Sequence, residues 1–218
     1  MAESSRQYVK AHEIRTQLAA LGMTEECVRE AVEAGVADRR GCTPFDPPCF
    51  RGVKQWATTI RTLRELLAPK QWTSEDPANF SVVVSPDRAV AIAVTSGDCR
   101  TGIAGTPEPA TKYPKGAKAE AAVRKNSQLP LWDEKDAHED EEDEDGLTWG
   151  ETWYLLVHTA RDEVRFELSC PSNFRKEDRR IDSWSERVIF DPVIIEPLPF
   201  SEDEDDGQTA IDIPIDRL

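Results

Sequence analysis

The run FSVVVSPDRAVAIAVTSGD, Phe80 to Asp98, constrains the fold more than any other stretch of this 218-residue chain. Val82, Val83 and Val84 lead into Pro86-Asp87, a pair suited to the i+1 and i+2 positions of a type I turn. Val90, Ile92 and Val94 follow, so the run reads as strand, turn, strand. Both strands are apolar on both faces. Such strands belong in the interior of a sheet that is covered on each side. The remaining chain has to supply neighbouring strands and covering elements, because a lone hairpin is marginal in water.

Three helices are expected before residue 70. The first spans roughly Ser5 to Ala20, with Ala11, Ile14, Leu18 and Leu21 at helical spacing and Gly22 as its stop. Thr24 suits the N-cap of a second, with Glu25 and Glu26 in the first turn and Val28, Val32 and Val36 as its apolar side. In the third, Val53, Trp56, Ile60, Leu63 and Leu67 alternate three and four apart, and Pro69 follows its end. The intervening GCTPFDPPCFRG carries three prolines, which favour a stiff loop over regular structure.

Strand patterns return at Trp153–Thr159, then at Val164–Cys170, where Val164, Phe166, Leu168 and Cys170 alternate with Arg165, Glu167 and Ser169. A further strand is expected over Ser183–Phe190, ending near Asp191-Pro192. The economical assembly is one α+β domain. Its N-terminal helices would pack on one face of an antiparallel sheet built from two β-hairpins plus an additional strand, interrupted by a charged insertion. The expected organisation is a helical part (1–70), the first hairpin and loop (71–110), a basic then acidic linker (111–148), the second strand group (149–200) and an acidic tail (201–218).

Between Lys112 and Lys125 the linker holds five basic residues, Lys112, Lys115, Lys118, Arg124 and Lys125, with a short helix expected over Ala117–Lys125 from its alanine content. They could meet phosphates, an acidic partner or the acidic run beside them. The formal charge of -15 is not spread evenly. Asp133–Asp145 carries -9 and Glu202–Asp206 carries -5, leaving the rest of the chain close to neutral. Charge blocks of this kind repel themselves and stay solvated, whereas a DNA mimic usually spreads carboxylates over a folded face.

Signals for catalysis are sparse. The three histidines, His12, His138 and His158, form no metal-binding or nucleophile motif, and no P-loop or G-x-S-x-G is present. The five cysteines, Cys27, Cys42, Cys49, Cys99 and Cys170, contain no C-x-x-C and read as reduced thiols. Cys42 and Cys49 lack a second ligand pair, so no metal and no cofactor are expected. Cys99 or Cys170 with His158 is the pairing an unrecognised enzyme would need. The helix pair around Gly22 has a helix-turn-helix outline, yet Glu25, Glu26, Glu30 and Glu33 would face the phosphates, so no sequence-specific DNA binding is expected. No segment has the length and apolarity of a membrane span, and MAESSRQYVKAHEIR lacks the apolar core of a signal peptide. The expected location is the cytoplasm.

Between the basic and acidic segments lies QLPLW, Gln128 to Trp132. It resembles the linear motif by which proteins bind the bacterial sliding clamp, usually Gln-Leu-x-Leu-Phe, with Trp in place of Phe. The resemblance implies that Gln128 hydrogen-bonds at the edge of the clamp groove. Leu129 would support it, and Leu131 and Trp132 would fill the apolar pocket. Pro130 favours an extended backbone and lowers the ordering cost. The expectation is a non-catalytic accessory or regulatory protein, of the kind a mobile element carries, that binds another protein. Its candidate partner is the sliding clamp. The alternatives are an acidic inhibitor imitating DNA through Asp133–Asp145 and Glu202–Asp206, and the enzyme named above.

Overall fold

The structure, a computed structural model, describes residues 5–128 and 146–196. They form an α+β domain around one mixed sheet of eight strands: β1 (Arg6–Tyr8), β2 (Thr73–Glu75), β3 (Val82–Val84), β4 (Val90–Ser96), β5 (Glu151–Thr159), β6 (Glu163–Arg175), β7 (Arg180–Ile189) and β8 (Val193–Ile194). The order is β1-β7-β6-β5-β4-β3-β2, with β8 also pairing β6. Four helices accompany it: α1 (Ala11–Ala20), α2 (Glu25–Arg40), α3 (Phe50–Leu67) and α4 (Ala117–Gln128).

The expected all-antiparallel sheet is corrected at two seams. The hairpin pairs β3–β4 and β5–β6 are antiparallel, but β4 and β5 lie parallel from Val90↔Glu151 to Ser96↔Val157, and β1 runs parallel to β7. Parallel neighbours need a connection that travels back along the sheet, commonly a helix. Residues 97–150 are that connection, and α4 lies in it. The segment 112–128, expected as linker, is therefore part of the fold.

Helices also cover both faces, where one had been expected. Leu18, Val28, Val32, Leu63 and Leu67 from α1–α3 pack with Val83, Ile92, Leu155, Phe166 and Leu168 on one face. On the other, Ala122 and Val123 of α4, with Leu147 and Trp149, pack against Val82, Val84, Ala91 and Tyr154. This is why successive residues of β3 and β4 are all apolar.

Two helix readings change. The first helix starts at Ala11 and not at Ser5, because Arg6–Tyr8 is taken up as an edge strand along β7. In α3, Ile60, Leu63 and Leu67 are buried as expected, but Val53 is 53% and Trp56 37% exposed. The first turns of α3 instead bury Gln55, Thr58 and Thr59 against α2. The approach is close there: a Cβ on Gly35 would stand 2.8 Å from the Gln55 carbonyl oxygen. Thr58 Oγ1 donates to Asp38 at 2.5 Å across the same contact. Trp56 reaches the sheet edge and donates from Nε1 to the Val94 carbonyl at 3.0 Å, beyond the end of the β3–β4 pairing.

Glu167, on the face of β6 opposite the aliphatic row, is fully buried rather than solvated. Arg187 of β7 meets it through Nε–Oε1 at 2.9 Å and Nη2–Oε2 at 2.6 Å. Ser169 Oγ and the Gly102 amide donate to the same carboxylate, and Arg187 Nη2 donates to the Ile103 carbonyl. The pair thus pins residues 101–105 over the sheet. Removing one partner strands a buried charge, so Arg187→Met is expected to cost about 3–5 kcal/mol in urea unfolding. The double variant Arg187→Met/Glu167→Gln is expected to recover part of that loss.

Candidate functional site

The ladder between β5 and β6 runs from Thr159↔Val164 to Tyr154↔Ser169 and then stops. Beyond it β5 stays with β4, while β6 follows β7 through register shifts that begin at Cys170/Pro171. Pro171 has no N–H to continue a ladder, which suits it to such a break. The strands splay, and Asn126 of α4 fills the gap. Its Nδ2 donates to the Thr152 carbonyl at 2.9 Å, and its Oδ1 accepts from the Thr152 amide at 2.8 Å. A weaker contact runs from Nδ2 to the Pro171 carbonyl at 3.4 Å. The side-chain amide thus does what a neighbouring peptide would do in an unbroken sheet. Ser127 Oγ donates to the Ser172 carbonyl at 2.9 Å and fixes the end of α4 to β6.

A cleft of about 450 Å³ opens at this splay, lined by Asn126, Glu151, Cys170, Ser172, Ser185 and Glu186 among others. Glu186 is oriented by two neutral donors: Tyr8 Oη of β1 at 2.8 Å and Gln17 Nε2 of α1 at 2.9 Å, both to Oε2. Burial, and next the bond to Glu186, push the Tyr8 phenol up to about 12. Glu151 is oriented by Trp153 Nε1, which donates to Oε2 at 3.2 Å. Burial above all pushes the Cys170 thiol up to about 12, and both carboxylates add to this. It remains a thiol at neutral pH and is a poor nucleophile.

The residues singled out from the sequence are distributed differently. Gln128 is the last residue of α4. Leu129, Leu131 and Trp132 lie outside the described residues, as do Asp133–Asp145 and Glu202–Asp206. Lys112 and Lys115 sit where the chain returns to the far end of β4: the Lys112 amide donates to the Ser96 carbonyl and the Lys115 amide to the Arg179 carbonyl. Lys118, Arg124 and Lys125 are on α4. Lys125 Nζ donates to the Leu147 carbonyl at 3.3 Å, and Arg124 borders a smaller cleft of about 240 Å³ with Phe174 and Lys176. The five cations therefore do not make one patch.

The Cys170–His158 pairing is not assembled. His158 stands opposite Arg165, five residues along β6 from Cys170, or roughly 17 Å at strand spacing. Cys99 is exposed in the turn after β4. Among the described residues no group of three or more His, Cys, Asp or Glu is placed to hold a metal ion. Sequence reading missed Asn126, Glu151, Ser185 and Glu186. Only Cys170-Pro171, a proline after a strand pattern, signalled a break there. Comparison with family models, curated proteins and solved structures found no match to this chain.

Two measurements follow. Iodoacetamide at pH 8 is expected to label the exposed Cys49 and Cys99 rapidly and to spare the buried Cys27 and Cys170 until the chain is unfolded. The second concerns Lys115, whose Nζ contacts Thr95 Oγ1. Burial, then the Arg180 guanidinium, lower its amine to about 8. An unfolded chain keeps that proton to about pH 10.4, so between about 8 and 10.4 the unfolded state binds more protons and stability from this group rises with pH. Below pH 8 the folded state carries the full cost of a buried ammonium. Lys115→Met is expected to raise Tm at pH 7, with the gain shrinking towards pH 10, as calorimetry would read.

Proposed function

We propose that this chain is a non-catalytic accessory protein that binds another protein, with QLPLW as its hook and a bacterial sliding clamp as the partner. The observation that carries the reading is how α4 is tied down beside the motif. Asn126 and Ser127 tie α4 to β5 and β6, and Gln128, the first residue of the motif, is the next residue of the same helix. A peptide that starts beside a pinned helical turn has less freedom to lose on binding. Leu131 and Trp132 would supply the apolar anchors, and a few such anchors dominate the affinity of small interfaces.

Apolar surface elsewhere favours macromolecular contact. Phe45 is 98% exposed, and Phe50 and Val53 stand on the outer side of the first turns of α3. The altered thiol described above and the separated His158 give catalysis no support. Five free cysteines are in keeping with a cytoplasmic setting, and among the described residues no helix is long and apolar enough to cross a membrane.

Pull-down by purified clamp tests the hook. Leu131→Ala/Trp132→Ala is expected to weaken capture at least about a hundredfold with Tm unchanged. Retained capture overturns the motif. A drop in Tm of the size caused by core truncation would instead make these two residues part of the domain interior.

A further inference from the structure

We infer that residues 197–206 dock on the chain's own apolar patch where α2 gives way to α3, with Leu198 and Phe200 set against Phe45, Phe50 and Val53. The inference does not rest on the clamp reading. It concerns the apolar residues noted above as suited to macromolecular contact, and makes the chain itself their occupant.

The course of the last described residues carries the argument. Val193 and Ile194 pair with β6, and the Ile195 amide donates to the Asp162 carbonyl. The same segment is tied to α2 at two points. Arg29 Nη1 donates to the Asp191 carbonyl at 3.1 Å, and Arg40 Nη1 donates to the Glu196 carbonyl at 2.7 Å. From Arg29 to Arg40 the helix rises roughly 16 Å, and extended chain from Asp191 to Glu196 spans about the same. The segment therefore runs beside α2 towards its C-terminal end. It reaches Glu196 where α2 stops at Arg40 and the loop 41–49 begins. The ion pair of Asp38 with Lys54, at 3.0 Å, holds the first turns of α3 alongside that point.

The seat is apolar, and the sequence that arrives there matches it. Phe45 is 98%, Val53 53% and Phe50 40% exposed. Thr43 donates to Asp46 Oδ2 from its amide at 2.7 Å and its hydroxyl at 3.1 Å, closing the turn that presents Phe45 outward. Directly after Glu196 the sequence is Pro-Leu-Pro-Phe. Leu198 and Phe200 are two apart and share one side of an extended chain. Extended chain from Glu196 reaches Phe200 in about 13 Å. Pro197 and Pro199 favour extended backbone and lower the cost of ordering it. Charge agrees with this placement. Glu202–Asp206 follows with -5, whereas residues 38–54 carry Arg39, Arg40, Arg51 and Lys54 against Asp38 and Asp46. The first turn of α3 has no acidic residue, and Cys49 at its N-cap makes no side-chain cap. Carboxylates arriving there also meet the positive end of the helix dipole.

The experiment places the photo-cross-linker p-benzoylphenylalanine at Phe45 of the full chain and maps the products by mass spectrometry. Phe45 lies outside both apolar cores, so the fold tolerates the replacement. Cross-links within one chain, concentrated on residues 197–201, are expected. Leu198→Ser/Phe200→Ser leaves the tether unchanged and is expected to lower their yield about tenfold. Asn or Gln at the acidic positions of 202–206 is expected to lower it about threefold and to remove its dependence on salt. In NMR spectra of the chain with its native Phe45, Leu198→Ser/Phe200→Ser is expected to shift the amides of Gly41, Gly52 and Val53 and to leave that of Ser172 in place. Cross-links that miss residues 197–206 overturn the proposal. So does a yield that the double variant does not change, which would reflect the tether alone, or the absence of shifts at Gly52 and Val53. Cross-links only between chains also overturn it, and would make the patch a contact between two copies.

Discussion

The parallel pairing of β4 with β5 is the constraint on which the rest of the structure depends. It joins the two hairpin pairs into one sheet. It also obliges residues 97–150 to return along the sheet before β5 can begin. The returning chain covers the second face with α4, which gives Val82, Val84 and Ala91 a dry neighbour. The same helix carries Asn126 to the splay between β5 and β6 and ends at Gln128. The cleft and the starting point of QLPLW are thus two consequences of one strand pairing.

Polar groups appear in the interior where regular backbone pairing fails or a loop must be held. Asn126 stands in for the strand that β5 lacks below Tyr154. Arg187 and Glu167 satisfy each other and also hold the amide of Gly102 and the carbonyl of Ile103. Trp56 serves the Val94 carbonyl past the end of β3. In each case a side chain repays a hydrogen bond that the backbone could not make for itself.

Much of the fold was legible in local pattern. Thr24 caps α2 by accepting from the Cys27 amide, and Val28, Val32 and Val36 are buried along it. The two-sided apolarity of β3 and β4 pointed to a covered central position, and the alternation of Val164, Phe166, Leu168 and Cys170 places all four in one core. The site was far less legible. Glu151 and Glu186 are ordinary glutamates in strands, thirty-five residues apart in the sequence, and only the splay of β6 leaves them facing one space. Asn126 lies in an alanine-rich segment whose periodicity gives no hint that one amide will bridge two strands.

The sequence by itself determined the element types and most of their inward faces, because helical and strand periodicities are local properties that side chains within a few residues establish. It also determined that the formal charge sits mainly in two blocks, since charge is read residue by residue. Only the tertiary structure decided the direction in which β5 runs beside β4, the choice of α4 to cover the second face, the capture of Arg6–Tyr8 as a strand, and the inversion of the first turns of α3. Those outcomes depend on pairing and close approach between segments far apart in the chain. Val53 and Trp56 show the reason most directly. Their spacing with Ile60 is that of a buried stripe, yet the contact of α2 with α3 at Gly35 turns Gln55, Thr58 and Thr59 inward and leaves Val53 more than half exposed.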